Sequence, residues 1–260
     1  MSKLEKPAAL KSLDAIIQAS DGVMVARGDL GVELPPEKVP QAQKNIITLS
    51  KKYGRPVVVA TQMLESMINT PVPTRAEASD VAHAIYDGAD AVMLSAESAS
   101  GKYPVEAVTM MDKIVSEVEQ DPNYSKTNAA DARLLGAKVL NEADAICSAL
   151  RDVAQAINAA AIVTYTSGGY TSLRAARQRP DTNILSITPN ISTARRLCMV
   201  WGVRSVIGAE SKNIEEMERL AIDTCLDMGF KAKKKIAISA GIPFGKPGST
   251  NLLKIAELKR

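Results

Sequence analysis

The most informative stretch of this sequence is Asp21-Gly-Val-Met-Val-Ala-Arg-Gly-Asp-Leu-Gly31. Its apolar run, 23–26, is typical of a buried strand, and Arg27-Gly28-Asp29 ends that strand. A carboxylate at the carboxyl end of a buried strand, beside a glycine that lets backbone approach closely, is how α/β barrels build active sites. The stretch therefore predicts an α/β fold in which Asp29 is a functional residue at a strand end.

Three further predicted strands also end in polar or ionisable residues. Glu5 follows the first strand, Thr61 follows the third, and Ser95 and Glu97 follow the fourth. Parallel strands joined by helices place their carboxyl ends on one face, where barrel enzymes carry out their chemistry. The pattern over residues 1–120 predicts the last four strands of a (β/α)8 barrel, which is half of that barrel.

The remaining sequence predicts a linker and a second domain. Residues 121–137 are polar and lack periodicity, which indicates a linker. Residues 138–260 alternate helix and strand patterns and predict a doubly wound, mostly parallel α/β domain. Thr74 and Glu77 form a capping box before one helix of the first domain, and Val108 of another helix is expected to face the core.

Composition excludes several classes of function. Hydrophobic residues make up 46% and charged residues 23%, as in globular proteins, and the net charge of +3 is too small to indicate a nucleic-acid partner. The sequence has no apolar run long enough for a membrane span and no signal peptide before Met1. Cys147, Cys198 and Cys225 are expected to be reduced, buried thiols of a cytoplasmic protein.

The strand-end motifs closely resemble those of pyruvate kinase. The resemblance rests on the stretch 21–31 and on Lys3-Leu-Glu5, Ala60-Thr-Gln-Met-Leu-Glu-Ser66 and Met93-Leu-Ser-Ala-Glu-Ser98, and it runs from Lys3 to the final residues. It implies phosphoryl transfer from phosphoenolpyruvate to ADP, which gives pyruvate and ATP in glycolysis. The matching portion is the carboxyl-terminal half, which implies that the chain is inactive alone.

Glu5 and Asp29 could together hold one divalent cation. Mg²⁺ typically takes one or two carboxylates, with substrate oxygens and waters as further ligands, although two solvated loop ends would present the same residues. The resemblance implies that both carboxylates bind Mg²⁺ (or Mn²⁺), which chelates phosphoenolpyruvate or pyruvate. Lys3 shares a strand face with Glu5. On its own Lys3 would be an exposed lysine, but the resemblance implies that its ammonium stabilises the enolate during catalysis.

The resemblance assigns roles to three more positions and a second role to Asp29. Thr61 matches the catalytic threonine near the methylene carbon, where a proton must arrive. The backbone N–H groups of Gly28 and Asp29 match donors to the substrate carboxylate. Arg27 matches a residue that adds an ion pair across the site or between subunits.

Some parts of the family's site are expected elsewhere. Ser95 and Glu97 match a supporting polar pair, for which buried hydrogen bonding is expected. In the family, the potassium site and part of the nucleotide site lie on the first four barrel strands. The ligands of K⁺ are therefore expected to be absent from this chain. The family also implies a homo-oligomer, specifically a tetramer.

A second site is predicted in the carboxyl-terminal domain. The run 166–171, Thr-Ser-Gly-Gly-Tyr-Thr, follows a strand and opens a helix, a combination that suits a phosphate but also makes an ordinary cap and turn. The resemblance implies an allosteric site for a phosphorylated effector, closed by the loop 241–249. Gly168 and Tyr170 depart from the animal fructose-bisphosphate pattern, so effector identity is open. The predicted phosphate-binding residues are Thr166, Ser167, Gly169, Thr171 and Lys246.

Two hypotheses follow. In the first, the chain is the carboxyl-terminal portion of a pyruvate kinase and carries residues of the transferase site. In the second, it is a non-catalytic module derived from pyruvate kinase that binds a phosphate effector or joins an oligomer. The strand-end residues favour the first hypothesis for family identity, whereas the absent half of the barrel favours the second for the chain alone.

Overall fold

The computed structural model describes residues 1–124, 141–244, 246 and 248–259. The chain forms two compact units, Met1–Lys126 and Thr127–Arg260. Most of the predicted linker, 121–137, lies outside the described residues.

The first unit is built on a four-stranded parallel sheet. Its strands are β1 (Ser2–Leu4), β2 (Val23–Ala26), β3 (Val57–Ala60) and β4 (Ala91–Met93), and they pair in chain order. Sequential parallel strands separated by helices are the repeating unit of a (β/α)8 barrel. The sheet is therefore the predicted half of such a barrel.

In the described part of the first unit, seven α-helices up to Gln120 accompany this sheet. They are α1 (Pro7–Lys11), α2 (Leu13–Ala19), α3 (Arg27–Glu33), α4 (Val39–Tyr53), α5 (Arg75–Tyr86), α6 (Ala96–Ala99) and α7 (Pro104–Gln120). Short 3-10 turns, Pro36–Lys38 and Glu65–Ile68, precede α4 and follow β3.

Side-chain alternation divides the sheet into two faces. Val23, Val25, Val57 and Val59 are buried in one apolar cluster with residues of the helices. The paired register puts Lys3 opposite Met24, on the face that lies inside a closed barrel. Lys3 therefore lies on the inner face, where a barrel enzyme collects its strand-end residues.

Local signals set several helix ends as predicted. The Thr74 side chain accepts a hydrogen bond from the Glu77 N–H while Glu77 reaches back to the Thr74 N–H, which confirms the capping box. The expectation for Val108 was wrong, because α7 turns Ala107 inward and leaves Val108 exposed. Helix α3 begins directly at the end of β2, so Asp29 lies in a first helical turn, where a carboxylate is favoured.

The second unit is an open five-stranded sheet in the order β7-β6-β5-β8-β9. The strands are β5 (Ala161–Tyr165), β6 (Ile184–Thr188), β7 (Val203–Ile207), β8 (Lys235–Gly241) and β9 (Thr250–Glu257). Every pair is parallel except β8 with β9, which confirms a mostly parallel sheet. The chain reverses its direction of winding beside β5, so the loops after β5 and β8 leave a crevice between them.

Helices cover both faces of this sheet. They are α8 (Glu142–Ala156), α9 (Tyr170–Arg177), α10 (Ile191–Leu197) and α11 (Ile214–Asp227). Residues of the first three form one apolar cluster, and residues of α11 form another with the opposite sheet face. The doubly wound prediction is thereby confirmed.

One expectation about the cysteines was wrong. Cys147 and Cys225 are buried, and burial raises the pKa of the Cys147 thiol to about 12 and that of Cys225 to about 11. Cys198, the C-cap residue of α10, is exposed instead. In the described part of the chain, no helix is long and apolar enough to cross a membrane.

Candidate functional site

The carboxyl ends of β1 and β2 bring three charged side chains together. Lys3 Nζ lies 2.5 Å from Glu5 Oε2 and 2.8 Å from Asp29 Oδ2. The two carboxylates therefore converge on one point, at which the ammonium lies in this structure. Lys3 and Asp29 are each about half exposed, so their contacts are open to a ligand from solvent.

This arrangement has a clear electrostatic consequence. The hydrogen bonds to Asp29 and Glu5 raise the pKa of Lys3, and the bond from Lys3 lowers the pKa of Asp29. Both groups are thus charged at neutral pH. No cluster of three or more His, Cys, Asp or Glu side chains suited to a metal occurs among the described residues.

The turn after β3 holds Thr61 in an unusual conformation. Thr61 and Gln62 have φ angles of 72° and 52°, and a β-branched residue in this region is an outlier that costs about 1–3 kcal/mol. The Gly28 N–H donates to Thr61 Oγ1 over 2.8 Å. This amide was expected to bind a substrate carboxylate; here it orients Thr61. A Cβ at Gly28 would lie 3.2 Å from Thr61 Oγ1, which favours glycine at this position.

Arg27 lies beneath this turn and is largely buried. Its Nη2 donates to the Thr61 carbonyl over 2.9 Å and to the Gln62 carbonyl over 3.2 Å. Its Nη1 pairs with Asp80 Oδ1 on α5 over 2.6 Å. Arg27 thus makes an ion pair within the first unit, and an ion pair across the site or between subunits stays a prediction. Sequence reasoning missed Asp80, which carries no motif and lies 53 residues away.

The predicted supporting pair lies at the end of β4. Glu97 is 2% exposed and accepts from the Ser95 N–H over 2.7 Å and from the Leu64 N–H over 3.2 Å. The carboxylate therefore ties the loop after β3 to the loop after β4. This geometry is that of a structural bridge beside the site.

A second concave site lies in the other unit, at the crevice beside β5 and β8. A cavity of about 510 Å³ opens there, lined by the loop after β5 and by the loop after β8. Of the five predicted residues, Thr166, Ser167, Thr171 and Lys246 line it, and Gly169 does not. Lys212 also lines the cavity, and sequence reasoning missed it. The sequence signal near it was the helix-capping residue Asn213, which follows it directly.

Several polar groups of the predicted phosphate cradle have protein partners. Thr166 Oγ1 accepts from the Gly169 N–H over 2.8 Å, and the Thr171 and Thr250 hydroxyls lie 2.7 Å apart. Gly169 has a φ of 89°, a conformation that favours glycine. The loop is therefore preformed, with Thr166 bracing the start of α9 and Thr171 tied to β9.

Comparisons with known proteins identify both units. The family profile described as "Pyruvate kinase, barrel domain" matches residues 1–108, and "Pyruvate kinase, alpha/beta domain" matches residues 144–256. The chain belongs to the pyruvate kinase family. The first match covers every strand-end residue of the barrel half, and the second covers the crevice residues from β5 through Thr250.

Individual relatives agree with the profiles. A pyruvate kinase from Methylorubrum extorquens is 48% identical, with 100% of this chain and 54% of that protein covered. A pyruvate kinase from Clostridium acetobutylicum is 44% identical, with 98% and 53% covered. A crystal structure of a pyruvate kinase from Cryptosporidium parvum superposes with a TM-score of 0.89 at 34% identity and covers 99% of this chain and 51% of that one. The chain spans about half the length of the relatives it matches.

Proposed function

We propose that this chain carries the metal- and enolate-binding part of a pyruvate kinase site. The observation that carries the proposal is the convergence of Glu5 and Asp29 on the Lys3 ammonium, within one strand-end surface that also holds Gly28 and Thr61. In the proposed reaction a phosphoryl group passes from phosphoenolpyruvate to the terminal phosphate oxygen of ADP. The enolate left behind takes a proton at its methylene carbon and becomes pyruvate.

The residues divide this work by their chemistry. Glu5 and Asp29 suit Mg²⁺ (or Mn²⁺), because hard cations take carboxylate oxygens, and the ion would neutralise charge on the bound substrate. The Lys3 ammonium stabilises negative charge that develops on the enolate oxygen. The Thr61 hydroxyl accepts from Gly28, so its own proton is available for donation toward the methylene carbon.

A chimera tests this function directly. We expect the 260-residue chain alone to give no turnover with phosphoenolpyruvate, ADP, Mg²⁺ and K⁺, because its described sheet supplies four strands of an eight-stranded site. Fusion to the part of the Methylorubrum extorquens relative that this chain does not match should give pyruvate in a lactate-dehydrogenase-coupled assay. A folded chimera without turnover would favour the non-catalytic module instead.

The cavity beside β5 and β8 supports a second function, binding of a phosphorylated effector. Its volume lies within the usual range for small-molecule sites, and Lys212 and Lys246 supply positive charge. Calorimetry with a panel of sugar phosphates and nucleotides should find a ligand whose affinity falls with salt and with Lys246→Glu. Lys259→Glu, which makes the same charge change outside the cavity, should leave the affinity unchanged. Absence of heat across the panel would contradict the assignment.

We propose further that the assembled protein is a cytoplasmic homo-oligomer, a tetramer as the family resemblance implies. Support for this comes from family membership. Sedimentation of the chimera tests it, and a monomer at micromolar concentration would contradict it.

A further inference from the structure

The conformation of the Thr61–Gln62 turn needs an external support. Two consecutive residues other than glycine have left-handed φ angles here, and one of them is β-branched. Such a backbone persists only where surrounding contacts over-determine it. A side chain outside the turn must therefore supply those contacts.

Arg27 meets this requirement from below the turn. One guanidinium nitrogen, Nη2, donates to the carbonyls of both left-handed residues and also lies 2.8 Å from Met63 Sδ. The other terminal nitrogen, Nη1, is held by Asp80 over 2.6 Å. The planar, multi-donor fork of arginine lets one side chain contact the turn and the carboxylate together.

The support determines where the Thr61 hydroxyl lies. With the turn held, Thr61 Oγ1 sits 2.8 Å from the Gly28 nitrogen and accepts its proton. A hydroxyl carries one proton, and Thr61 Oγ1 acts as the acceptor in this bond. Its own proton therefore points away from Gly28. Release of the turn toward ordinary backbone angles would withdraw the hydroxyl from Gly28.

Asp80 is itself fixed by the start of α5. The capping box holds the first turn of that helix, and Glu77 also accepts from the Ser66 N–H over 2.7 Å. The helix and the loop after β3 are thereby joined at two points, one through Glu77 and one through the Asp80–Arg27 pair. These contacts fix the backbone that carries the Asp80 carboxylate.

We propose that Arg27 and Asp80 are positioning residues that hold Thr61 in its left-handed conformation and so aim its hydroxyl. This inference rests on the proposed function, in which Thr61 delivers a proton, and it adds that the orientation of the Thr61 hydroxyl depends on the Arg27–Asp80 ion pair. Neither residue is a catalytic residue, because both act through Thr61.

The test reads the Gly28 amide in the full chain by ¹⁵N NMR and hydrogen exchange, without any ligand. In the wild type this amide should be protected. Arg27→Lys and Asp80→Asn should each accelerate its exchange roughly tenfold or more and move its resonance to the position found in Thr61→Val. Asp80→Glu should restore most of the protection, because it keeps the carboxylate.

A matched control separates positioning from general support of α5. Lys44 pairs with Asp87 at the other end of that helix over 3.3 Å, so Lys44→Met removes an ion pair from the helix without touching the turn. It should leave the Gly28 amide unchanged. The proposal is overturned if Lys44→Met has the effect of Asp80→Asn, or if Arg27→Lys and Asp80→Asn leave the amide protected.

Failure of the positioning proposal and failure of the proposed function give different results in this design. Asp80 is partly exposed, so Asp80→Asn keeps the test valid if Arg27→Lys does not fold. If the metal and enolate site is wrong, the Lys3 and Asp29 variants will keep normal turnover and Mn²⁺ binding. The effect of the Arg27 and Asp80 variants on the Gly28 amide would not change. A wrong positioning proposal would appear in the amide, with the Lys3 and Asp29 variants behaving as expected.

Discussion

Lys3→Met should lower kcat of the chimera by roughly 10²–10³-fold, the loss typical for removal of one group that stabilises an oxyanion. Methionine keeps much of the length of lysine and removes its charge. The enolate oxygen would then develop its negative charge without the ammonium that lies 2.5 Å from Glu5 and 2.8 Å from Asp29. The coupled assay at saturating phosphoenolpyruvate and ADP measures the change.

The control for this prediction is Lys6→Met. Lys6 is an exposed lysine three residues along the chain, and its ion pair is with Glu33 over 2.8 Å. The two variants make the same chemical change, but only Lys3 faces the converging carboxylates. Equal kcat values for both variants would contradict the role of Lys3.

Asp144→Ala should strongly destabilise the second unit. Asp144 is 3% exposed, and its Oδ1 accepts from Arg174 over 2.7 Å and from Arg177 over 2.9 Å. Burial lowers the pKa of the Arg177 guanidinium, and the Asp144 carboxylate opposes this shift by stabilising the charged form. Loss of one member of a buried ion pair costs about 3–5 kcal/mol, because the remaining charge is left uncompensated.

Urea denaturation of the full chain, read by circular dichroism, tests this value. Glu218→Ala is the control. It removes a partly exposed ion pair in the same unit, in which Glu218 lies 2.8 Å from Lys254. An exposed pair contributes about 0–1 kcal/mol, so the control should unfold near the wild type. Similar midpoints for Asp144→Ala and Glu218→Ala would show that the buried pair adds little.

Features encoded within a few residues could be predicted from the sequence. The capping box of Thr74 and Glu77 lies within one helical turn, and the alternation of Val23 and Val25 sets one face of β2. The gathering of Glu5 and Asp29 follows from parallel topology, since the ends of adjacent parallel strands meet at one edge.

Other features depend on distances that a linear pattern does not contain. The Arg27–Asp80 pair joins residues on different elements, and its geometry depends on how α5 packs beside the turn. The pairing of Thr171 with Thr250 spans 79 residues and depends on the antiparallel β8–β9 register. Burial of Val108 was predicted from the helical spacing of apolar residues alone. The rotation of α7 about its axis decides which of these residues faces inward.

Electron paramagnetic resonance of Mn²⁺ added to the 260-residue chain measures whether Glu5 and Asp29 form a metal site. We expect saturable binding of about one ion per chain, with affinity at least roughly tenfold lower in Glu5→Gln and in Asp29→Asn. Asp14→Asn, at an exposed carboxylate beside Lys52, should bind Mn²⁺ as the wild type does. Equal affinity in the wild type and in Asp29→Asn would contradict the claim that these carboxylates form a metal site.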